Sequence, residues 1–564
     1  MNTHKTWSLL VGAALVFAVG CLVVAPLDDL PAKKAVTAAG GRSGDAGSGQ
    51  AGVEPGALGG EGGHPPAAGG DASGTCTTNA ECVRQAADEP YRCRPSDHQC
   101  VALRSDECPI VVGPASDANA VYFGAFATLN GATLEDNPIV WAHELALNEL
   151  GGDNVGGLPD GPGGKRRPMV MIVCNNTDGM VEPAMKHLAE DAQVPAVIGT
   201  LKPGDLRRAY DAYLERDIFY LSPVSVTTPV TALNSRHIWN LLGQPSDFAP
   251  TYVALLKRSE AWLRQARGLA EGTQLKVVLV TTGDAFDSEL RDSLLGVLEF
   301  NGKSLTDNGD DHFQSIELKG DAKDLAANAL AIAQFAPDIV ISAASEPFVM
   351  NNGLEQQIED EWGVNAGAQP RPFYILSPYN AGDVTDLMTR ISGRLEGDVT
   401  AGEDQQRFVG VSIASAVDKT LQNAYAIRLR SLFKDAIVDT ANYYDAVYYL
   451  AYAMYGANQP DGLTGSGIVQ GMQRLLSGKS VNVGPGAAIS ATFKALAVAG
   501  STVHLESTLG PPDFDPNTGV RPVNGSVFCF KRISTTVKLV TDVLRYDDAS
   551  KSFSGSFSPC NAEF

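Results

Sequence analysis

Positive charge is scarce in this sequence: 43 Lys and Arg stand against 65 Asp and Glu, for a formal net charge of −22 and a pI near 4.8. No chain-wide basic field exists to attract phosphate, so binding to nucleic acid is disfavoured. Long apolar runs are also missing beyond the first twenty residues. The best of them, 443–454, is too short to cross a bilayer and is interrupted by Asp445. Chemical signatures are equally sparse. No C-x2-C knuckle of a zinc ribbon is present, and no G-x-S-x-G nucleophile elbow. His143-Glu144 opens an H-E-x-x pattern, but Leu147 stands where a metalloprotease needs its second histidine, so His143 reads as a surface side chain. Gly163-Gly164-Lys165 is followed by Arg166 and lacks the Ser or Thr of a phosphate loop. Asp307, Asp310 and Asp311 have Gly309 too early for a calcium loop and read as a solvated turn. The expectation is a protein that is not an enzyme, with no catalytic residue, no cofactor and no metal.

What is present is length and core-forming material. The chain has 564 residues, 44% of them hydrophobic and 19% charged, enough for two or three domains. Residues 1–20 carry Lys5 and then the apolar run 7–20, shorter than a membrane span, which reads as a signal peptide. The run ends in Ala18-Val19-Gly20-Cys21, which resembles the bacterial lipobox, with Ala18 where Leu is usual. The resemblance implies that Cys21 accepts diacylglycerol and that the protein sits, lipid-anchored, on a membrane of the bacterial cell envelope. Two or three acyl chains would hold it there stably. Leu22 instead of Asp after the cysteine favours the outer membrane. Residues 40–75 hold 14 Gly in 36 positions and hardly any large apolar side chain, so they form no core. The 54 residues 22–75 therefore read as a tether with a reach of roughly 40 Å.

Eight cysteines follow: Cys76, Cys82, Cys93, Cys100, Cys108, Cys174, Cys529 and Cys560. An even count in an exported chain reads as disulfides. The stretch 76–108 is too small to bury a core and needs bridges to be stable. Connectivity is not readable from spacing. Pairing Cys76 with Cys93 and Cys82 with Cys100 would interlock this module, leave Cys108 for a link to Cys174 between neighbouring strands, and leave Cys529 and Cys560 to close the C-terminal segment.

From Cys108 onward short β-branched runs alternate with helix-length amphipathic stretches: 121–126, 139–150, 169–173, 181–191, 196–198, 206–215 and 218–221. After a long helical stretch at 247–266 the alternation restarts with 275–280, 287–301, 315–318, 321–334, 338–341 and 373–376. Such alternation predicts an α/β protein with two doubly wound parallel-sheet lobes and ligand crevices at the carboxyl ends of the strands. Residues 441–457 and 465–476 read as further helices.

The stretch 196–231, AVIGTLKPGDLRRAYDAYLERDIFYLSPVSVTTPVT, resembles the N-terminal lobe of type 1 periplasmic binding proteins, in particular the branched-chain amino-acid binding group. The likeness continues, in the family's order, through IWNLLGQPSD from Ile238, KVVLVTTGDAF from Lys276, PDIVISAAS from Pro337, YYDAVYYLAYAM from Tyr443 and LGPPDFDPNTG from Leu509. It implies three chain crossings between lobes. A first lobe of 109–270 plus about 396–500 and a second of 271–395 plus about 501–564 are expected. It also implies a ligand held between the lobes at the first turns of helices, where backbone N–H groups receive a carboxylate. The positions carried over are Thr200, Lys202, Ser225, Thr227 and Thr228 in the first lobe and Phe286, Ser345, Glu346 and Tyr379 in the second. Several depart from the family. Lys202-Pro203-Gly204 replaces a Ser-Ser pair, and Pro203 has no N–H to offer. Phe286 stands for a ligand-packing Tyr. Tyr379 falls where an ammonium-binding acid is common, with Glu346 the nearby acid that would substitute. The implied function is a solute-binding receptor that closes on a small polar, amino-acid-like ligand and presents it to an ABC permease. The alternative is a lipoprotein that uses the same fold for contact with another envelope protein, as a regulator of cell-wall synthases or a sensory receptor.

Overall fold

In the computed structural model the described residues are 74–560, apart from 88, 130–136, 153–154, 160–164, 178, 214–215, 232–235, 320–321, 345–352, 368, 378–403, 435, 437–439, 458–462 and 534–535. The signal segment, Cys21 and the tether up to residue 73 lie outside them, as do Ser345, Glu346 and Tyr379. Among the described residues no helix is long and apolar enough to cross a membrane.

The cysteine-rich module is a single helix, Asn79–Gln85, and a two-strand ladder of Tyr91–Cys93 with Cys100–Ala102. Thr78 starts the helix through a capping box: its hydroxyl accepts from Glu81 N, and the Glu81 carboxylate accepts from Thr78 N. Bridges Cys76–Cys93 and Cys82–Cys100 staple these pieces together. The module is docked on the first lobe. The buried Arg92 guanidinium donates to Ala192 O and lies 4.3 Å above the Tyr122 ring, and Asn79 donates to Asp117 O at 3.0 Å. Cys108–Cys174 then ties the module's exit to the first sheet.

That sheet contains β1 (Ile110–Val112), β2 (Val121–Ala127), β3 (Met169–Asn175), β4 (Ala196–Ile198), β5 (Phe219–Ser222) and β6 (Ile238–Asn240). Its order is β6-β5-β4-β2-β3-β1, parallel except for β1. Every residue of β2 is buried, as a central strand covered on both faces requires. Helices α1 (Pro138–Gly151), α2 (Val181–Lys186) and α3 (Pro203–Ala212) provide crossovers.

The second lobe begins with α4 (Ala249–Ala266) and continues through β7 (Val277–Thr282), α5 (Ala285–Leu295), β8 (Phe313–Leu318), α6 (Ala322–Phe335), β9 (Ile339–Ser342), α7 (Leu354–Asn365), β10 (Phe373–Leu376) and β11 (Phe408–Ile413). The chain returns to the first lobe as α8 (Thr420–Leu432), α9 (Ala441–Gly456), α10 (Gly465–Gln473) and α11 (Ala487–Leu496). It finishes the second sheet with β12 (Gly525–Ile533), β13 (Thr536–Asp547) and β14 (Ser552–Gly555). The order is β8-β7-β9-β10-β11-β12-β13-β14, with β7 to β11 parallel and the rest antiparallel. Cys529–Cys560 closes the end of the chain onto β12. In each lobe the five parallel strands follow the order 2-1-3-4-5, which places a topological switch point between β2 and β4, and between β7 and β9. These are the two doubly wound lobes and three crossings of the type 1 periplasmic binding fold.

The lobe boundaries differ from those expected. Helix α4 belongs to the second lobe, because Tyr252, Leu255, Leu256 and Leu263 form one apolar stripe and pack on that lobe's core. Strand β11 also belongs there: it pairs with β10 and β12, and Phe408 stacks on Tyr374 with ring centres 4.4 Å apart. Conversely, residues 503–514 stay with the first lobe, where Phe514 packs 5.2 Å from Trp239. The crossings thus fall near 243–248, 414–419 and 520–524.

His143, expected at the surface, is fully buried. It shares a stripe on α1 with Val140, Leu147 and Leu150, and that stripe is covered from α9, with the Tyr443 ring 5.7 Å away. Burial lowers its pKa to about 3, so the imidazole is neutral.

On α9 a second buried group, Asp445, accepts from the Thr508 hydroxyl at 2.7 Å and from the backbone N–H groups of Thr508 and Leu509. Burial pushes its pKa up to about 6, only partly offset by these hydrogen bonds. A carboxyl whose folded value lies above its unfolded 3.8 binds a proton more readily when folded, so its contribution to stability rises as pH falls through 6. The melting temperature of the native protein should therefore rise relative to that of Asp445→Asn between about pH 7 and pH 5. A difference that is flat or falls over that interval refutes the assignment.

Candidate functional site

The carboxyl ends of the first lobe's strands are joined by one side chain. Asn176, just after β3, accepts from the Thr128 hydroxyl at 2.9 Å and donates to both Thr200 O and Thr200 Oγ1 at 3.0 Å. It therefore spans the switch point. Tyr220 holds the next turn by donating to Gly199 O at 2.7 Å and accepting from Leu201 N at 3.2 Å. Helix α3 starts here with Pro203 at its first turn and no side-chain cap on Lys202.

After β5, Ser222 bonds its own turn through Val224, and the Ser225 hydroxyl donates to Leu242 O at 2.5 Å. Ser225 is thereby tied to the first crossing. Thr227 is buried, whereas Thr228 is exposed and opens the short helix Thr228–Thr231. Its backbone N–H and hydroxyl both donate to the Glu289 carboxylate on α5 of the other lobe, at 2.7 and 2.6 Å.

In the second lobe β7 ends in Thr281-Thr282. Thr282 N and Oγ1 donate to the buried Asp287 at 2.9 and 2.6 Å, and Asp284 caps α5 by accepting from Asp287 N. This wiring fixes the start of α5 against its strand. Phe286 turns away from the crevice. It is 9% exposed and packs against Phe248 with ring centres 6.2 Å apart, so its aromatic ring is part of the second core. Below the end of β9 the Ser342 hydroxyl donates to Glu355, which is fully buried and whose pKa burial raises.

Between the lobes lies a cavity of about 780 Å³. The first lobe contributes the opening turns of α3 (Pro203, Gly204, Arg207) and Thr227, Thr228 and Val230. The second contributes one face of α5 (Ala285, Ser288, Glu289, Asp292, Ser293), and the first crossing adds Ser246. Of the positions carried over from the family, Thr227 and Thr228 border it. Thr200, Lys202, Ser225 and Phe286 are not among its described lining, although Thr200 and Lys202 sit in the turn leading to it. Ser345, Glu346 and Tyr379 lie outside the described residues.

Sequence reading did not single out Asn176, Arg207 or Glu289. The signal for Glu289 was legible: 285, 288, 289, 292 and 293 form a small and polar stripe on a helix whose opposite stripe is Phe286, Leu290 and Leu294. Among the described residues, the sulfurs of Cys76, Cys82 and Cys93 lie within 4.8 Å of one another as metal ligands would, but all three are in disulfides and offer no thiolate.

No protein-family model and no curated protein matches the chain. Solved structures do match. An ABC transporter substrate-binding protein from Desulfitobacterium hafniense in complex with Leu is 14% identical, with a TM-score of 0.47 over 75% of this chain and 100% of that one. A leucine-binding protein from Thermotoga maritima is 11% identical, with a TM-score of 0.47 over 75% and 98%. A solute-binding protein of an ABC transporter from R. palustris in complex with benzoate is 15% identical, with a TM-score of 0.46 over 79% and 100%.

The placement of Phe286 generates a test. Phe286→Ala should destabilise the protein by about 3 kcal/mol, as truncation of a buried aromatic does. Thr228→Val, which removes one hydrogen bond at an exposed position, should cost under about 1.5 kcal/mol. Denaturant unfolding measures both, and equal small effects would return Phe286 to the crevice.

Proposed function

We propose that this protein is an extracytoplasmic solute-binding receptor that closes its two lobes around a small polar ligand for delivery to an ABC-type permease. The observation that carries the reading is the cavity itself. It is bordered by helix starts from both doubly wound lobes, and three chain crossings join those lobes. A volume of about 780 Å³ is within the usual range for small-molecule sites. A ligand touching both walls binds the closed arrangement better than the open one, which is the physical basis of capture by hinge closure. Backbone N–H groups at the start of α3 and hydroxyls of Thr227, Ser246, Ser288 and Ser293 supply the polar contacts, with Thr228 held by Glu289 at the rim and Thr200 and Lys202 supporting the turn. The resemblance to branched-chain amino-acid binders, and the leucine and benzoate in the complexes of similar structures, guide the choice of compounds to try. In this reading Cys21 carries the lipid, and the tether lets the receptor search for its permease from the membrane surface.

A thermal-shift screen of amino acids, short peptides and aromatic acids should raise the melting temperature for one chemical class. A ligand at a hundredfold excess over its dissociation constant adds ~2.7 kcal/mol. Solution scattering should show compaction with the same compounds. Stabilisation without compaction, or none across the set, counts against capture by closure. Separately, Cys21→Ala should abolish acyl-chain labelling and membrane partition while leaving the melting temperature unchanged. Labelled Cys21→Ala protein sinks the anchor assignment.

A further inference from the structure

The geometry points to Glu289 as a specificity-determining residue: it supplies, from within the chain, the carboxylate that Thr228 would otherwise take from a ligand. This rests on the solute-binding reading and narrows its ligand class. Thr228 offers a backbone N–H and a hydroxyl, and both already donate to the two oxygens of Glu289, at 2.7 and 2.6 Å. The acceptor comes from the opposite lobe, on α5, and both partners border the cavity. One bidentate contact therefore does two things. It bridges the lobes without a ligand, and it fills the two donors with a carboxylate. A free carboxylate ligand reaching Thr228 must first displace Glu289, and the displaced carboxylate then faces it across the cavity with Asp292 one turn further along α5. Like charges at such range repel. A ligand that leaves the bridge in place, or that donates hydrogen bonds to Glu289, meets no such opposition. The Thr228 seat thus favours neutral or cationic polar molecules over simple carboxylates, whereas Arg207 on the α3 wall, ion-paired with Asp211, leaves that side of the cavity without the same bias.

A surrogate carboxylate tests the assignment without knowledge of the ligand. The probe is acetate, which reproduces the Glu289 head group, and the readouts in the full chain are the melting temperature and lobe separation, by solution scattering and by the distance between spin labels placed one on each lobe. Glu289→Ala should shift the open-to-closed ratio about tenfold toward open, the scale of a lost charge-assisted hydrogen bond. Thr228→Val should shift it comparably, and the double variant no further than the larger single effect. Acetate, which has no link to α5, should occupy the emptied Thr228 seat and raise the melting temperature of Glu289→Ala without closing it, and should do so less in Glu289→Ala/Thr228→Val and not at all in the native chain, whose seat is filled. Sodium chloride at equal ionic strength controls for screening. Lobe separation unchanged in Glu289→Ala overturns the proposal. So does a melting-temperature response to acetate that is absent in Glu289→Ala or equal in Glu289→Ala and the native chain. Each result is read without the natural ligand, so failure here leaves the thermal-shift screen to judge the solute-binding reading separately.

Discussion

Two parallel sheets contribute to one cavity only if their carboxyl ends open on the same space, and here that orientation is held by three crossings with their own hydrogen bonds. Asp247 accepts from Gln244 N at 3.0 Å on the first crossing and from Val523 N at 3.4 Å on the third. Gly243 makes this approach possible. It has φ +64°, and a Cβ there would stand 2.3 Å from the Asp247 carboxylate. Ala414 N donates to Asn524 O at 2.8 Å, joining the second crossing to the third. Asp542 completes the set. Burial pushes its carboxyl pKa up, but hydrogen bonds from Lys419 and Ser415 outweigh that and hold it below the ordinary value. The joints are therefore polar, backbone-wired and narrow. The lobes are different: each sheet is covered on both faces by its own apolar core. Close-packed cores resist deformation and thin polar joints do not, so relative motion of the lobes concentrates at the crossings.

The same division explains what the sequence made legible. Strands buried on both faces read as unbroken β-branched runs, and the helices between them carry a helical period, so the alternation and the two-lobed class were visible from 121 onward. The bridges were visible because a module of this size has no other source of stability. Assignment of elements to lobes was not visible, because α4 is an amphipathic helix whose stripe fits either core, and contacts distant in sequence decide it, such as Tyr252 donating to Leu376 O at the end of β10 and Arg264 donating to Asn301. Residue identity misled at two sites. His143 looks polar in isolation but occupies an apolar stripe, and the family resemblance put Phe286 at a ligand-facing aromatic position although its ring packs beside Phe248 in the core. Glu289 was missed for the opposite reason. Its helix shows a small and polar stripe but not which of its residues matters, because the partner is 61 residues away on another lobe.

Inside the first lobe, charge is also kept where several donors converge. Glu149 of α1 accepts from Arg428 at 2.7 Å and from the Tyr444 and Tyr448 hydroxyls at 2.6 Å each. This cluster locks α1, α8 and α9 to one another, so the helices added after the second crossing behave as part of the first lobe. A buried carboxylate with three donors is a rigid joint, since removing one partner strands a charge.

The bridge between Thr228 and Glu289 is built from similar parts, but its setting makes it exchangeable. Two charge-assisted hydrogen bonds are each worth ~1.5–3 kcal/mol in a dry site, and much less where water competes, as it does at the exposed Thr228. A small ligand of micromolar affinity brings about 8 kcal/mol of binding free energy. The bridge is thus strong enough to bias an unoccupied cleft toward closure and to oppose a competing carboxylate, yet weak enough for a matching ligand to override. The Glu149 cluster, buried against α9, lacks that accessibility. Placing the exchangeable carboxylate at the lobe interface and the inert one in the core lets the first lobe stay rigid while the cleft responds to what enters it.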